Sequence, residues 1–295
     1  MNGRERGFLL LSSHLGNPDR RPLTIPQLRQ LGQRIRLMAP SAENRAVASS
    51  DLTALGYGIE MARHIVNLLE EEDCLDYYLQ QGAKNGCVPI TRVSEGYPMR
   101  LRMGLGMESP GVLWARGDIA LLQKPAVALV GSRDLEPENR TFAAEVGRQA
   151  ARHGFVLVSG NARGADRTAQ SSCLAAGGQV ISVVADELDK QPLRQNLLYL
   201  SEDGFHETFS AQRALSRNRI IHAMGMKTFV AQSRYSVGGT WDGTVKNLRA
   251  GWSTVYCFDD GSTAVTSLAE MGALRIGMEK LADFDMLPEA IQSFL

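Results

Sequence analysis

Cysteine is scarce in this chain: 295 residues hold four, Cys74, Cys87, Cys173 and Cys257, with no CxxC pair among them. That spacing excludes a disulfide framework, argues against a zinc site, and suits a reducing compartment. Cys173 and Cys257 lie in apolar surroundings and read as small core residues. The five histidines are scattered, and none stands at metal-ligand spacing from a cysteine.

Net charge is also absent, because 32 Lys and Arg balance 32 Asp and Glu. A protein that coats nucleic acid through bulk charge is thereby disfavoured, whereas a local basic groove is not, since binding depends on the field at the site. Long hydrophobic runs are lacking too. Arg4 and Arg6 precede Gly7-Phe8-Leu9-Leu10-Leu11 in the manner of a signal peptide, but the run breaks at Ser12-Ser13-His14 with no small-residue cleavage site. No stretch approaches the length of a bilayer span. A cytoplasmic chain with no membrane association is expected. Reaction signatures are missing as well: there is no P-loop, no GxGxxG, no nucleophile elbow, no HExxH and no obvious carboxylate pair. Binding is favoured over catalysis, and neither a catalytic residue, a cofactor nor a metal is expected.

What is present is ample core-forming material, 44% hydrophobic against 22% charged residues, which excludes wholesale disorder. The region 1–85 reads as an N-terminal helical domain. Thr24 caps an amphipathic start with Pro26 close behind, and apolar residues recur from Leu52 to Leu68 around a break at Gly56-Tyr57-Gly58. Glu70-Glu71-Glu72-Asp73 reads as a solvated helix face. A proline-marked connection, Tyr97-Pro98 and then Pro110-Gly111-Val112-Leu113-Trp114, follows.

From Lys124 the pattern alternates. Short apolar runs, Ala126–Val130, Phe155–Val158, Val180–Val184, Thr228–Ala231 and Thr254–Phe258, are separated by helical stretches from Pro137 to about His153, from Asp166 to Ala176, and after Gly239. That alternation indicates an α/β fold, an extended Rossmann-like and mainly parallel sheet over 86–275. A tail over 276–295, too short for a winged helix, is expected to close the chain.

Ligands of open α/β sheets bind at the carboxyl ends of the strands, and four segments converge there. Gly131-Ser132-Arg133 offers close backbone approach, oxygen-bonding groups and a permanent planar cation, although a plain tight turn would also need the glycine. Ser159-Gly160-Asn161-Ala162-Arg163-Gly164-Ala165-Asp166 is a glycine-bracketed loop; Arg163 reads equally as a phosphate contact or a surface charge, and Asp166 as a helix N-cap. Arg213 to Ile221 carries Arg213, Arg217, Asn218 and Arg219 with no acid among them, and runs into the core at Ile220-Ile221. Gly238-Gly239-Thr240 opens a helix with Thr240 placed to cap it, and Trp241 either stacks a base or fills a core. The candidate phosphate or DNA contacts are thus Gly131, Ser132, Arg133, Ser159, Gly160, Arg163, Arg217, Asn218, Arg219, Gly238, Gly239 and Thr240.

In this order the segments resemble the DNA-processing protein A (Smf) family of bacterial recombination mediators. Its Tyr-Pro-x-x-Leu segment is met by Tyr97 to Leu101, and its Pro-x-x-Leu-aromatic stretch by Pro110 to Trp114 with Gly117 beyond. Its Val-Gly-x-Arg, Ser-Gly-x-Ala-x-Gly-x-Asp and Arg-Asn-Arg-Ile-Ile motifs are met by Val130 to Arg133, Ser159 to Asp166 and Arg217 to Ile221, and its glycine turn by Gly238 to Thr244. The resemblance spans residues 88 to 258 or so. It implies a Rossmann domain that binds single-stranded DNA in a basic pocket, a homodimer, and delivery of the strand to the RecA recombinase for recombination or natural transformation. Departures are Gln170 where the family has histidine, Asp259-Asp260-Gly261 in place of Pro-Gly, and Asp242 near the pocket. Two other functions share the fold. A nucleotide phosphoribohydrolase would need the glutamate of Pro-Gly-Gly-x-Gly-Thr-x-x-Glu, which Gly238-Gly239-Thr240 echoes without the proline or the acid. A sensor of a small nucleotide would use the same phosphate cradle.

Overall fold

A run of five apolar residues must be buried on both faces, and in this chain that demand builds a sheet with helices on either side. The computed structural model describes residues 1–37 and 46–288. The helices come first: α1 (Gly3–Ser12), α2 (Ile25–Ile35), α3 (Ser49–Ala54), α4 (Ile59–Glu70) and α5 (Glu72–Lys84). Thr24 is the N-cap of α2 as expected, and the Gln27 side chain reaches back to accept from its backbone N–H at 2.8 Å. Between α3 and α4 the turn passes through Gly56 at φ +85°, a conformation that only glycine adopts cheaply. Leu23, Leu31, Leu52, Ala62, Ile65 and Leu68 form a small core of their own. Leu9 and Leu10 of α1 and Leu75 and Tyr78 of α5 instead join the core beneath the sheet. Buried Arg20 ties the two parts, pairing with Glu71 at 2.6 Å and donating to the carbonyls of Leu10, Ser13 and Leu68.

The remainder runs β1 (Cys87–Thr91), α6 (Met99–Leu105), β2 (Val112–Gly117), β3 (Ala126–Val130), α7 (Pro137–Arg152), β4 (Val156–Ser159), α8 (Ala165–Ala175), β5 (Gln179–Val183) and β6 (Leu197–Ser201). It continues through α9 (Ala211–Ser216), α10 (Asn218–Met224), β7 (Lys227–Val230), α11 (Gly238–Ala250), β8 (Thr254–Phe258), α12 (Thr263–Glu270) and β9 (Leu274–Ile276). The sheet has nine strands in the order β1-β2-β6-β5-β4-β3-β7-β8-β9. From β6 to β9 all neighbours are parallel, with Ala128 opposite both Val158 and Thr228. β1 and β2 are antiparallel additions, and β1, with Pro89 in it, forms one rim while three-residue β9 forms the other. The α/β class with a mainly parallel sheet expected from the sequence is the observed one.

Alternation along each strand feeds two cores. Val127, Leu129 and Leu157 face α1, α5, α7 and α8, while Ala126, Ala128, Val130 and Val158 face α6, α10, α11 and α12. Where α7 crosses α8, a Cβ on Gly147 would meet the backbone of Ala169 and Cys173, so the two helices touch main chain to main chain. The segment past 276, expected as a tail, packs Leu281, Phe284 and Leu287 into the same core; its last part, 289–295, lies outside the described residues.

The chain winds outward from β3 to β6 and then returns to β7 beside β3, so a crevice would be expected at that junction. Here it is filled. The Ser132 N–H donates to the Gln232 carbonyl at 3.0 Å, and Asn139 donates to both the Ala231 carbonyl and the Asp260 carboxylate at 2.8 Å. The open space is displaced toward β4 and β5.

Candidate functional site

A cavity of about 250 Å³ opens over the carboxyl ends of β3, β4 and β5. Arg133 comes from the turn after β3, Asn161, Ala162 and Arg163 from the loop after β4, and Ala185 and Asp186 from the end of β5. Phe209 and Ala214 enter from the segment before and within α9, and Arg217 from the junction of α9 with α10.

Glycine makes this convergence possible. A Cβ on Gly131 would stand 2.6 Å from that of Ala165, and one on Gly164, at φ +87°, would strike the carbonyls of Ser132 and Arg133. The turn after β3 and the start of α8 therefore nest directly, with Ala165 N–H donating to the Ser132 carbonyl at 3.1 Å. A Cβ on Gly160 would collide with the guanidinium of Arg217, which lies flat over that glycine. Beneath the loop, Gln170 donates to Ser159 Oγ at 2.8 Å, to Ser182 Oγ at 3.2 Å and to the Gly160 carbonyl. The Gln170 amide thus pins Gly160 under Arg217.

Arg217 is the centre of the site. Its side chain is only 10% exposed, it lies 3.7 Å from the Asp166 carboxylate, and its Nε is buried without a hydrogen-bond partner among the described residues. Burial drives both groups toward their uncharged forms, raising the Asp166 carboxyl and lowering Arg217, and each partner's charge opposes that on the other. The guanidinium nevertheless stays charged. Arg133 adds a second cation within electrostatic reach of both. Arg163 is a third, held outward by Asp134 at 2.5 Å with both side chains largely exposed, a surface pair worth little and easily exchanged.

The expected site residues divide three ways. Arg133, Arg163 and Arg217 line the cavity. Gly131, Ser132, Ser159 and Gly160 support it from below, and the buried Ser159 hydroxyl and the Ser132 N–H are already engaged with protein. Asn218, Arg219, Gly238, Gly239 and Thr240 lie off it. Asn218 donates to the Gly239 carbonyl at 3.0 Å, and Arg219 is clamped on Glu202 at 2.6 and 3.0 Å. Arg213 is committed as well, to Asp203 and to the carbonyls of Ala185, Glu207 and Thr208, and so fixes the walls of the cavity rather than its charge.

Several local expectations are corrected. Asp166 is not the N-cap of α8; Gly164 is, and Asp166 in the first turn accepts from Ala162 N–H at 3.2 Å while facing Arg217. Thr240 does not cap α11, whose N-cap is Val237, but lies inside its first turn. Trp241 is buried in the core, edge-on to Tyr235 at 5.1 Å. The acid at the cavity is Asp186, not Asp242. Asp186 and Phe209 went unread in the sequence; the signal available was position, since one follows shortly after an apolar strand and the other precedes the arginine segment. Among the described residues no His, Cys, Asp and Glu group could hold a metal ion, and no helix is long and apolar enough to cross a membrane.

Comparison with known proteins places this geometry. The model of the family described as DNA recombination-mediator protein A matches residues 89–250. The DNA processing protein DprA of Bacillus subtilis is 27% identical over 172 residues, 55% of this chain and 56% of that protein. That of Streptococcus pneumoniae is 30% identical over 141 residues, 44% of this chain and 50% of that protein. An X-ray structure of the S. pneumoniae protein superposes with a TM-score of 0.64 at 22% identity, covering 86% of this chain and 95% of the other. DNA processing protein A of Helicobacter pylori, whose structure is described for its single-stranded DNA binding mode, gives 0.55 at 22% identity over 66% and 92%. These structures share the fold. In sequence, the chain spans about half the length of the curated relatives it matches.

Proposed function

Since this chain belongs to the DNA recombination-mediator protein A family, we propose that it binds single-stranded DNA by its phosphates in the cavity between Arg133 and Arg217. One observation carries the reading: among the described residues Arg217 is buried and charged, its Nε has no hydrogen-bond partner, and its only ionic partner, Asp166, stands off at 3.7 Å. Guanidinium donors withdrawn from water cost several kcal/mol unless satisfied, on the order of 1–3 each, and a phosphate in the cavity satisfies them bidentately. Arg133 supplies the second charge, and the glycines Gly131 and Gly160 let the supporting loop and the Arg217 guanidinium pack closely beneath the cavity. A concave site of about 250 Å³ takes one nucleotide unit at a time. A flexible strand can bend a phosphate and its sugar into such a hollow; a stiff duplex cannot.

Protection of the strand and its delivery to a RecA-type recombinase, by a cytoplasmic homodimer, extend this reading from the family resemblance. The phosphoribohydrolase and the nucleotide sensor remain the competitors, one tested by release of ribose 5-phosphate from nucleoside monophosphates, the other by tight mononucleotide binding without oligomer binding.

The primary test is titration of labelled oligo(dT) against salt, with duplex as competitor. Arg217→Ala and Arg133→Ala should each weaken binding roughly tenfold and lower the salt slope by about 1. Arg219→Ala, with its charge spent on Glu202, should leave the slope unchanged. Parent-like binding by both cavity variants would overturn the assignment.

A further inference from the structure

Among the arginines of the cavity stands one acid that no arginine neutralises by direct contact. Arg217 faces Asp166, Arg163 faces Asp134, and Asp186 acts on Arg217 through space without forming an ion pair with either. Its Oδ1 is buried without a hydrogen-bond partner. A carboxylate repels phosphate, so for a site that only grips a backbone it is a liability. It gains a purpose if the ligand brings its own N–H groups.

The other walls supply the rest of a nucleotide. Phe209, 57% exposed, presents a ring on which a base can stack. Asn161 donates to Gln191 at 3.1 Å, and its amide oxygen has no donor among the described residues, so it too can accept. Arg213 holds the carbonyls of Ala185, Glu207 and Thr208, which fixes the chain next to Asp186 and just before Phe209. Phosphate, base face and base edge each meet a group of matching chemistry.

We propose that Asp186 makes this cavity base-selective, favouring guanine, whose edge offers adjacent N–H donors, over thymine, whose single N–H lies between two carbonyl oxygens. A carboxylate accepts only. Against guanine it receives N1–H and the 2-amino group together; against thymine it faces two lone-pair-bearing oxygens. Rotation about the soft χ2 of aspartate turns both of its oxygens toward the base. The proposal rests on the phosphate reading above and adds selectivity to it.

The test uses the full chain and a dT tract carrying one central guanine, inosine or thymine, at fixed salt, read by fluorescence anisotropy. The parent should bind the guanine strand roughly tenfold more tightly than all-thymine, with inosine, which lacks the 2-amino group, in between. Asp186→Asn should bring the guanine-to-thymine ratio to about one and tighten binding of oligo(dT), because a negative charge is removed. The inosine arm needs no variant. Equal affinity of the parent for guanine and thymine strands would overturn the proposal, as would an undiminished preference in Asp186→Asn, while salt-sensitive, Arg217-dependent binding of oligo(dT) would leave the phosphate reading standing. Failure of the parent to bind any strand would end both.

Discussion

Gly160 lacks a side chain because Arg217 occupies the space where one would be. Gly160→Ala should therefore displace the guanidinium and weaken oligo(dT) binding as much as Arg217→Ala does. The double variant should be no worse than Arg217→Ala alone, since both changes remove one interaction; additive losses in a double-mutant cycle would refute the coupling. At this scale the sequence was informative about which loops matter and misleading about which charges do. Arg213, Arg217 and Arg219 look alike in a stretch free of acids, yet Asp203 and Glu202, distant by sequence, neutralise two of them. Of the three only Arg217, held against glycine with its carboxylate 3.7 Å away, keeps a buried donor, Nε, without a partner among the described residues.

Between elements, α10 and α11 meet around a single buried histidine. His222 accepts at Nδ1 from Asn247 at 3.0 Å, and Gly243 lets the helices close, since a Cβ there would come within 3.0 Å of Nε2. Burial lowers the His222 pKa from 6.5 to about 3. The unfolded chain thus takes up a proton that the folded one refuses. The associated stability is complete above pH 6.5 and is lost progressively as the pH falls toward 3, at up to about 1.4 kcal/mol per pH unit. Urea unfolding between pH 7 and 4 should show this slope, and His222→Gln should lose it; an unchanged slope would mean that other groups carry it. The strands at the centre of the sheet were legible because buried apolar runs have few alternatives. β6, equally apolar, went unread, as did β1 and β9: one contains a proline, the other has three residues, and pairing rather than composition makes them strands. The caps of α8 and α11 misled because a glycine turn can start a helix with no capping side chain at all.

Across the whole molecule, helices and sheet are joined through shared core. α1 and α5 bury Leu9, Leu10, Leu75 and Tyr78 under the sheet, and Tyr78, Trp114 and Phe205 meet with ring centroids 4.7–5.2 Å apart. Arg20 is the polar counterpart of that join. Arg20→Met should cost about 2–3 kcal/mol, because several carbonyls and Glu71 lose their donor, with a lower urea midpoint and little change in strand affinity; a neutral result would show that water replaces the guanidinium. The sequence showed a helical region ahead of an α/β region. That some of those helices belong to the sheet's own core was not legible, since an amphipathic stripe records that a face is buried and not against what.

The rims of the sheet carry one more implication. Strand addition, the route by which β proteins polymerise, needs a long unbroken row of amide donors at an edge. A proline interrupts that row in β1, and β9 is too brief to offer one. When the protein is concentrated, fibril-like growth through its edges should stay suppressed, and copies that meet will have to do so flank to flank.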